Sequence, residues 1–383
     1  VGGTGADRFE SNGASFSNVT YTISGAGTFS AYGDILAYYT SGGGVRIQNG
    51  VLSGGDAEGD VLVGAIGGFV GSALGGDIIE MAGFNFAYGL GGNDRITGAG
   101  FLGHAYGGAG NDTLTGFGGA ELSGGTGKDN LTGQAGGFGT TAVYDATGLG
   151  ATVDLRLTTR QNTGAEGLDL LTDIAHLTGG SGADDFIGNA EANRLAGGTG
   201  NDTLNGGAGD DSLKGGLGRD VLIGGTGNDV VIYSNPVTLD LTNLANSTGE
   251  AAGDSFSGIE VFQVEFGNSV LRGNGAANTF RTSYGNDRLS GEGGDDSLSG
   301  SGGNDTLFGD AGNDTLDGGP GVDRMIGGIG NDVYVLDDMN DVIVETGPGI
   351  DTVEASFATI DMGVDFAGMS IENYRFSGFS GPV

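Results

Sequence analysis

The chain has 383 residues, enough for two or three ordinary domains, but 87 are glycine, 4 are proline, and there is no cysteine or tryptophan. Acidic residues outnumber basic ones 49 to 14; the formal charge of −35 excludes nucleic acid and anionic membrane surfaces as partners and calls for cations. No apolar run approaches the ~18 residues of a transmembrane helix, and the lack of cysteine fits a secreted chain held by metal rather than disulfides.

Residues 1–88 are the least regular stretch. There is no initiator Met and no signal-peptide pattern; Val1 opens almost directly on the nonamer GGTGADRFE, as expected of a piece of a longer polypeptide. Short β-rich runs follow, with turn signals at Gly59-Asp60 and Gly76-Asp77. The stretch reads as a degenerate β-solenoid with few ion sites, and Phe69, Phe84, Phe86 and Tyr88 read as core.

A nine-residue register emerges at 89–132, with GLGGNDRIT, GAGFLGHAY, GGAGNDTLT and, after an eight-residue unit, GGTGKDNLT. The sixth place carries Asp94, Asp112 and Asp129. In the second unit His104 lies close to the acid's place and reads as a surface turn residue rather than a ligand for a softer metal. Residues 133–178 break the register with a long rung. It resembles 233–263, since Val143-Tyr144 answers Ile232-Tyr233 and Leu168-Asp169 answers Asp254-Ser255, as in an internal duplication. Loops are expected at 158–166 and 245–252.

Between the long rungs, 179–232 returns to register with Asp184, Asn193, Asp202, Asp211, Asp220 and Asp229 at the sixth place. The third block, 264–344, holds the cleanest run: TSYGNDRLS, GEGGDDSLS, GSGGNDTLF, GDAGNDTLD, GGPGVDRMI and GGIGNDVYV. Its sixth residues are Asp287, Asp296, Asp305, Asp314, Asp323 and Asp332, and LDDMNDVIV adds Asp341. Residues 345–383 read as atypical capping rungs.

Each nonamer divides into a turn half, GGxGxD, and a strand half, xUx. Glycine takes positive φ without a Cβ clash, and one large apolar residue per strand half points inward. Two nonamers make one coil of a flattened helix, so same-side turns are 18 residues apart. That pairs Asp287 with Asp305, Asp296 with Asp314, Asp305 with Asp323, Asp314 with Asp332, Asp94 with Asp112, Asp184 with Asp202, Asp202 with Asp220 and Asp211 with Asp229. Asp112 and Asp129 are 17 apart and form a weaker pair, and Asn193 costs its pair with Asp211 one charge. Carboxylates stacked at about strand spacing, ~4.8 Å, repel unless a cation lies between them. Carboxylates and turn carbonyls together can supply the 6–8 oxygens Ca²⁺ takes. About ten Ca²⁺ would bring the net charge to about −15, and without them repulsion and glycine entropy leave much of the chain unfolded.

These motifs resemble the hemolysin-type calcium-binding (RTX) repeat family over more than half of the chain. The resemblance implies an all-β, right-handed parallel β-roll in which the sixth-place aspartates and turn carbonyls bind Ca²⁺. It also implies an extracellular or cell-surface protein exported by type I secretion and folded on meeting external calcium. We therefore expect a calcium-folded structural or interaction module of a secreted bacterial protein: surface layer, adhesin or matrix component. Its partners would be calcium, with extracellular glycan or other protein subunits. The alternative is a β-roll accessory module of an extracellular polysaccharide-modifying enzyme; an ice- or surface-binding solenoid is a third reading, but its strand threonines are mixed with Ser, Arg, Asp and Val. No catalysis is expected: His104 and His176 are the only histidines, and no GxSxG or HExxH motif occurs. Ser181, in GGSGAD, is one of many equivalent turn positions.

Overall fold

The computed structural model describes residues 69–71, 75–80, 86–99, 103–134, 138–145 and 147–355. It also gives the backbone of the strands before residue 69 and of Ile371–Phe376. All strands are short and nearly all pair in parallel, one coil to the next. The side chains expected as degenerate rungs before residue 69, Phe84, and residues 356–370 and 377–383 of the expected cap lie outside the described residues.

Two units divide the chain. The first comprises residues 1–199 and 203–208, the second 200–202 and 209–383. In the first unit, one side of the coil is an unbroken parallel ladder. It runs from Phe86–Gly91 through His104–Gly110, Glu121–Gly127, Thr141–Val143 and His176–Thr178 to Arg194–Gly200. The opposite side runs from Ile78–Glu80 through Arg95–Ala99, Thr113–Gly116 and Asn130–Thr132 to Gly167–Thr172. There it stops, and a new ladder starts with Thr152–Asp154, Asp185–Ile187 and Thr203–Ala208.

The second unit repeats this asymmetry. One side continues from Ser212–Gly218 through Val230–Tyr233, Val261–Val264, Thr279–Thr282, Ser297–Ser299, Thr315–Asp317 and Val333–Leu336 to Asp351–Ala355 and Ile371–Phe376. Opposite, Val221–Thr226 pairs with Ser255–Ser257, and a fresh ladder begins at Thr238–Asp240. It passes through Val270–Arg272, Arg288–Ser290, Thr306–Ala311 and Arg324–Ile329 to Val342–Val344. In both units the long rungs interrupt one side and leave the other continuous.

The middle residue of each strand half fills the core. Leu289, Leu298, Leu307, Leu316, Met325 and Tyr334 are fully buried, as are Ile96, Leu114, Leu131 and Leu204. Their neighbours point outward because successive Cβ atoms of a strand face opposite ways. The same alternation corrects one expectation. Phe69 is buried, but in Phe86–Gly91 it is Ala87 that enters the core, and Tyr88 is 36% exposed. The stretch expected as a loop at 158–166 contains a strand, Gln161–Gly164, which turns back antiparallel on Gly167–Thr172. The other, at 245–252, holds most of two 3-10 turns, Leu244–Asn246 and Gly249–Ala251.

One buried side chain per nine residues leaves each core leucine with little redundancy. Leu307→Ala should cost about 3 kcal/mol, the usual cost of a large-to-small core change, measured by urea unfolding in saturating calcium. Thr306→Ala, on the outer face, should change the midpoint little.

Candidate metal centre

The turns stack so closely that glycine is favoured at two places, the first and the fourth. The fourth residue has positive φ, as at Gly92 (114°), Gly303 (142°), Gly312 (150°) and Gly330 (143°). A Cβ there would strike the backbone carbonyl of the coil before, Gly285 for Gly303 and Gly312 for Gly330. The second residue is also left-handed, and Leu90, Glu292, Ser301 and Asp310 adopt positive φ there without being glycine. Over the first glycine two oxygens converge. A Cβ on Gly89 would collide with Asp94 Oδ2 and approach the Gly107 carbonyl; one on Gly309 would meet Asp314 Oδ2 and the Gly327 carbonyl.

The sixth-place aspartates form ladders. The Asp94 N–H donates to Asp112 Oδ1 at 2.6 Å and the Asp112 N–H to Asp129 Oδ1 at 2.7 Å, so the 17-residue step stacks as the 18-residue one does. Asp94 itself accepts from the Asp77 N–H, and Asp184 from the Ala151 N–H. In the second unit Asp202 donates to Asp220 and Asp211 to Asp229. The third block runs from the Ser269 N–H to Asp287, then to Asp305, Asp323 and Asp341. On the other side it runs from the Asn278 N–H to Asp296, Asp314 and Asp332. Every expected aspartate except the half-buried Asp341 is at most 3% exposed.

The RTX calcium-binding nonapeptide repeat family (4 copies) matches residues 81–101, 104–122, 178–213, 196–231, 272–307 and 299–334. These turns are RTX repeats. The matched segments cover about two fifths of the chain, less than the resemblance in the sequence implied; residues 1–80, 123–177, 232–271 and 335–383, with the nonamers of Asp129 and Asp341, fall outside them. No curated protein matches the chain.

RTX repeats bind calcium, and the geometry here suits it. One oxygen of each ladder carboxylate is used by the neighbouring N–H. The other, Oδ2, is buried without a hydrogen-bond partner at Asp94, Asp112, Asp129, Asp220, Asp229, Asp287, Asp296, Asp305, Asp314, Asp323 and Asp332. A buried anionic oxygen beside a turn carbonyl is a costly arrangement that a hard, oxygen-seeking cation relieves. Burial, the largest cause, pushes the Asp94 carboxyl up to about 8 and those of Asp129, Asp296, Asp305 and Asp332 to about 7. Asp112 and Asp323 rise to about 6. Neighbouring carboxylates push the same way: Asp77 and Asp112 on Asp94, Asp287 and Asp323 on Asp305. A bound divalent cation supplies the positive charge that keeps these groups ionised; Oδ2 and the first-place carbonyls would hold it.

Several members of the RTX rows lie outside the nine-residue count. Asp169 accepts from the Asp129 N–H, Asp254 from Asp220, Glu260 from Asp229 and Asp351 from Asp332. Asp77 is the first described member of the first row. Asn193 and Asn278 each accept an amide of their own turn, from Asn189 and Asn274, and the Asn193 side chain donates to the Ala175 carbonyl. A second ladder runs the opposite way through the fifth place. The Asn304 N–H donates to Asn286 Oδ1, and the Val322 N–H to Asn304 Oδ1. The recurring Asn-Asp pair was its signal. His104 is not a turn residue. It opens a strand beside Glu121, with Nδ1 2.7 Å from Oε2, and Gly103 holds the sixth place.

The raised carboxyls fix a pH dependence. In the folded chain without metal they hold protons that the unfolded chain, near its ordinary carboxylate value, has lost by pH 5–6. Metal-free stability is therefore highest at low pH and is lost as pH rises through about 6 to 8. Circular dichroism in EDTA should show β-structure at pH 5 that melts toward pH 8. With calcium the order reverses, because protons compete with the ion.

Proposed function

We propose that this chain is a calcium-folded, non-catalytic structural and interaction module of a secreted or cell-surface bacterial protein, such as a surface layer, adhesin or matrix component. The observation that carries this reading is the rows of buried carboxylates whose second oxygen meets no donor. With 14 basic residues against 49 acidic ones, the chain cannot neutralise them itself. Millimolar external calcium can, in the affinity range of about 10⁻⁴–10⁻³ M typical of extracellular modules. Export through a type I channel follows from the same logic: the chain stays unfolded where calcium is scarce and folds where it is abundant. Among the described residues no helix is long and apolar enough to cross a membrane. Both histidines are engaged structurally, His104 with Glu121 and His176 with the Phe138 carbonyl and the Arg194 N–H, which supports a non-catalytic role.

One observation favours the polysaccharide-linked alternative. Phe266 and Tyr284 stack at 6.5 Å and are 58% and 67% exposed, and Tyr88 stacks on Tyr106 at 4.5 Å. Such flat aromatic faces suit the apolar side of a sugar ring. Slower migration in gels containing neutral polysaccharide, abolished by Tyr284→Ala, would favour an accessory glycan-binding module.

The main reading is tested by far-UV circular dichroism during a calcium titration out of EDTA, with a magnesium control. A cooperative coil-to-β transition is expected in calcium alone. Asp305→Ala with Asp314→Ala should raise its midpoint about tenfold, the scale of lost ligand charge. Full β-structure in EDTA at pH 8 would defeat the reading.

A further inference from the structure

At the end of the third block the regular turn is altered in a way the repeat does not require. After Val342–Val344 the turn reads ETGPGID, seven residues in place of six. Gly347 and Gly349 lie over Gly328 and Gly330, so they keep the second and fourth places. The inserted residue is therefore Thr346, and Glu345 stands in the first place, where every regular turn has glycine except that of Thr282, which brings a neutral hydroxyl. A first-place glycine offers only its backbone carbonyl to the aspartate below. Here Glu345 adds a carboxylate.

That carboxylate is held in place. Its Oε1 accepts from the Thr346 and Gly347 N–H groups, both at 2.7 Å, and its Oε2 accepts from the Tyr334 hydroxyl at 2.6 Å. The hydroxyl is itself oriented by the Gly327 N–H at 2.8 Å. Tyr334 is fully buried, in a core place that leucine fills in most other repeats. Oxygens of Asp332, Glu345 and Asp351 all lie within 4.8 Å of one another, with Asp332 and Asp351 at 0% exposure. The Asp332 Oδ2 is buried and meets no donor.

The same ingredients recur where the long rungs join the rows. Buried Tyr144 is surrounded by Asp169, Glu166 and Asp129; buried Tyr233 faces Asp254, with Asp220 and Glu250 beside it. At each irregular rung a glutamate and a buried tyrosine join the two stacked aspartates. The Asp332 group is the most compact of the three.

We propose that Asp332, Glu345 and Asp351 form a three-carboxylate divalent-cation site at the end of this row, in which the Glu345 side chain adds a ligand that the repeat turns lack, and that it clips the last irregular rung onto the coil. Three carboxylates make it more anionic than a repeat turn, so it fills at lower calcium and orders the end of the row first. This rests on the calcium reading above. Oxygen-only ligands exclude a soft metal and suit Ca²⁺ or a lanthanide.

Terbium is the probe, on the full chain. Tyrosine sensitises Tb³⁺ emission only at close range, and the chain has no tryptophan to obscure it. Sub-stoichiometric Tb³⁺ should give emission excited through tyrosine and displaced by calcium. Glu345→Gln should weaken this first site about tenfold or more, and equilibrium dialysis near its midpoint should find about half a calcium fewer per chain. Tyr334→Phe should remove the same emission while calcium-induced β-structure remains, a readout that stands even where Glu345→Gln fails to fold. Unchanged early emission in Tyr334→Phe, or an unchanged early calcium count in a folded Glu345→Gln, would overturn the site while leaving the repeat sites intact. No binding of either ion by the wild-type chain would overturn both readings.

Discussion

The constraint on which this structure depends is the stacking of buried carboxylates, one per coil, along its turns. Each aspartate accepts the N–H of the aspartate before it, so the row is continuous and like-charged groups are held at strand spacing. In most turns the carboxylate lies inside the turn, under a glycine that cannot become alanine without striking it. The core cannot offset this repulsion generously, because each nonamer buries one large side chain while ordering nine residues rich in glycine. Folding and cation binding are therefore one equilibrium, in which protons and metal compete for the same oxygens.

Where the repeat keeps its length, the sequence displays nearly everything. The apolar eighth place marks the core, the glycines mark the turns, and the sixth-place aspartates mark the rows. What it hides begins where the count is lost. Asp169, Asp254, Glu260 and Asp351 follow their partners by 40, 34, 31 and 19 residues, and no fixed period reaches them. Their register is set by the return of the chain to the coil, not by distance along it. The correspondence of Leu168-Asp169 with Asp254-Ser255 was visible, but nothing in the sequence tied either aspartate to a row. The outward turn of Tyr88 and the antiparallel return at Gln161–Gly164 were hidden for a similar reason, since both depend on which residue the neighbouring coil presents.

The rungs that break the register are arranged economically. In each unit they interrupt one side of the coil while the other keeps its ladder. New rows then open on residues without a carboxylate: Ala151 below Asp184 contributes only an N–H, and Ser269 below Asp287 an N–H with a neutral hydroxyl that accepts from the Val237 N–H. A row can therefore start without placing an extra charge at its exposed edge. The opposed fifth-place ladder ties the same turns together, through asparagine in most turns and through Asp210 and Asp295 in two.

Glutamate enters the rows only where the chain departs from the nonamer, and its extra methylene explains why. Glu260 takes the sixth place of an irregular turn, and its Oε2 still accepts the Asp229 N–H at 2.8 Å. Both the Glu260 and Val261 N–H groups crowd onto the Asp229 carbonyl, at 3.1 and 3.0 Å, a contact that regular turns make through one donor. The backbone has shifted there, and a longer side chain bridges the difference. What the fold conserves along a row is thus a carboxylate oxygen at a fixed point in space rather than a residue type. A strict repeat meets that demand with aspartate and glycine; an irregular rung meets it with an aspartate brought back into the row, or with glutamate where the backbone has shifted, as at Glu260.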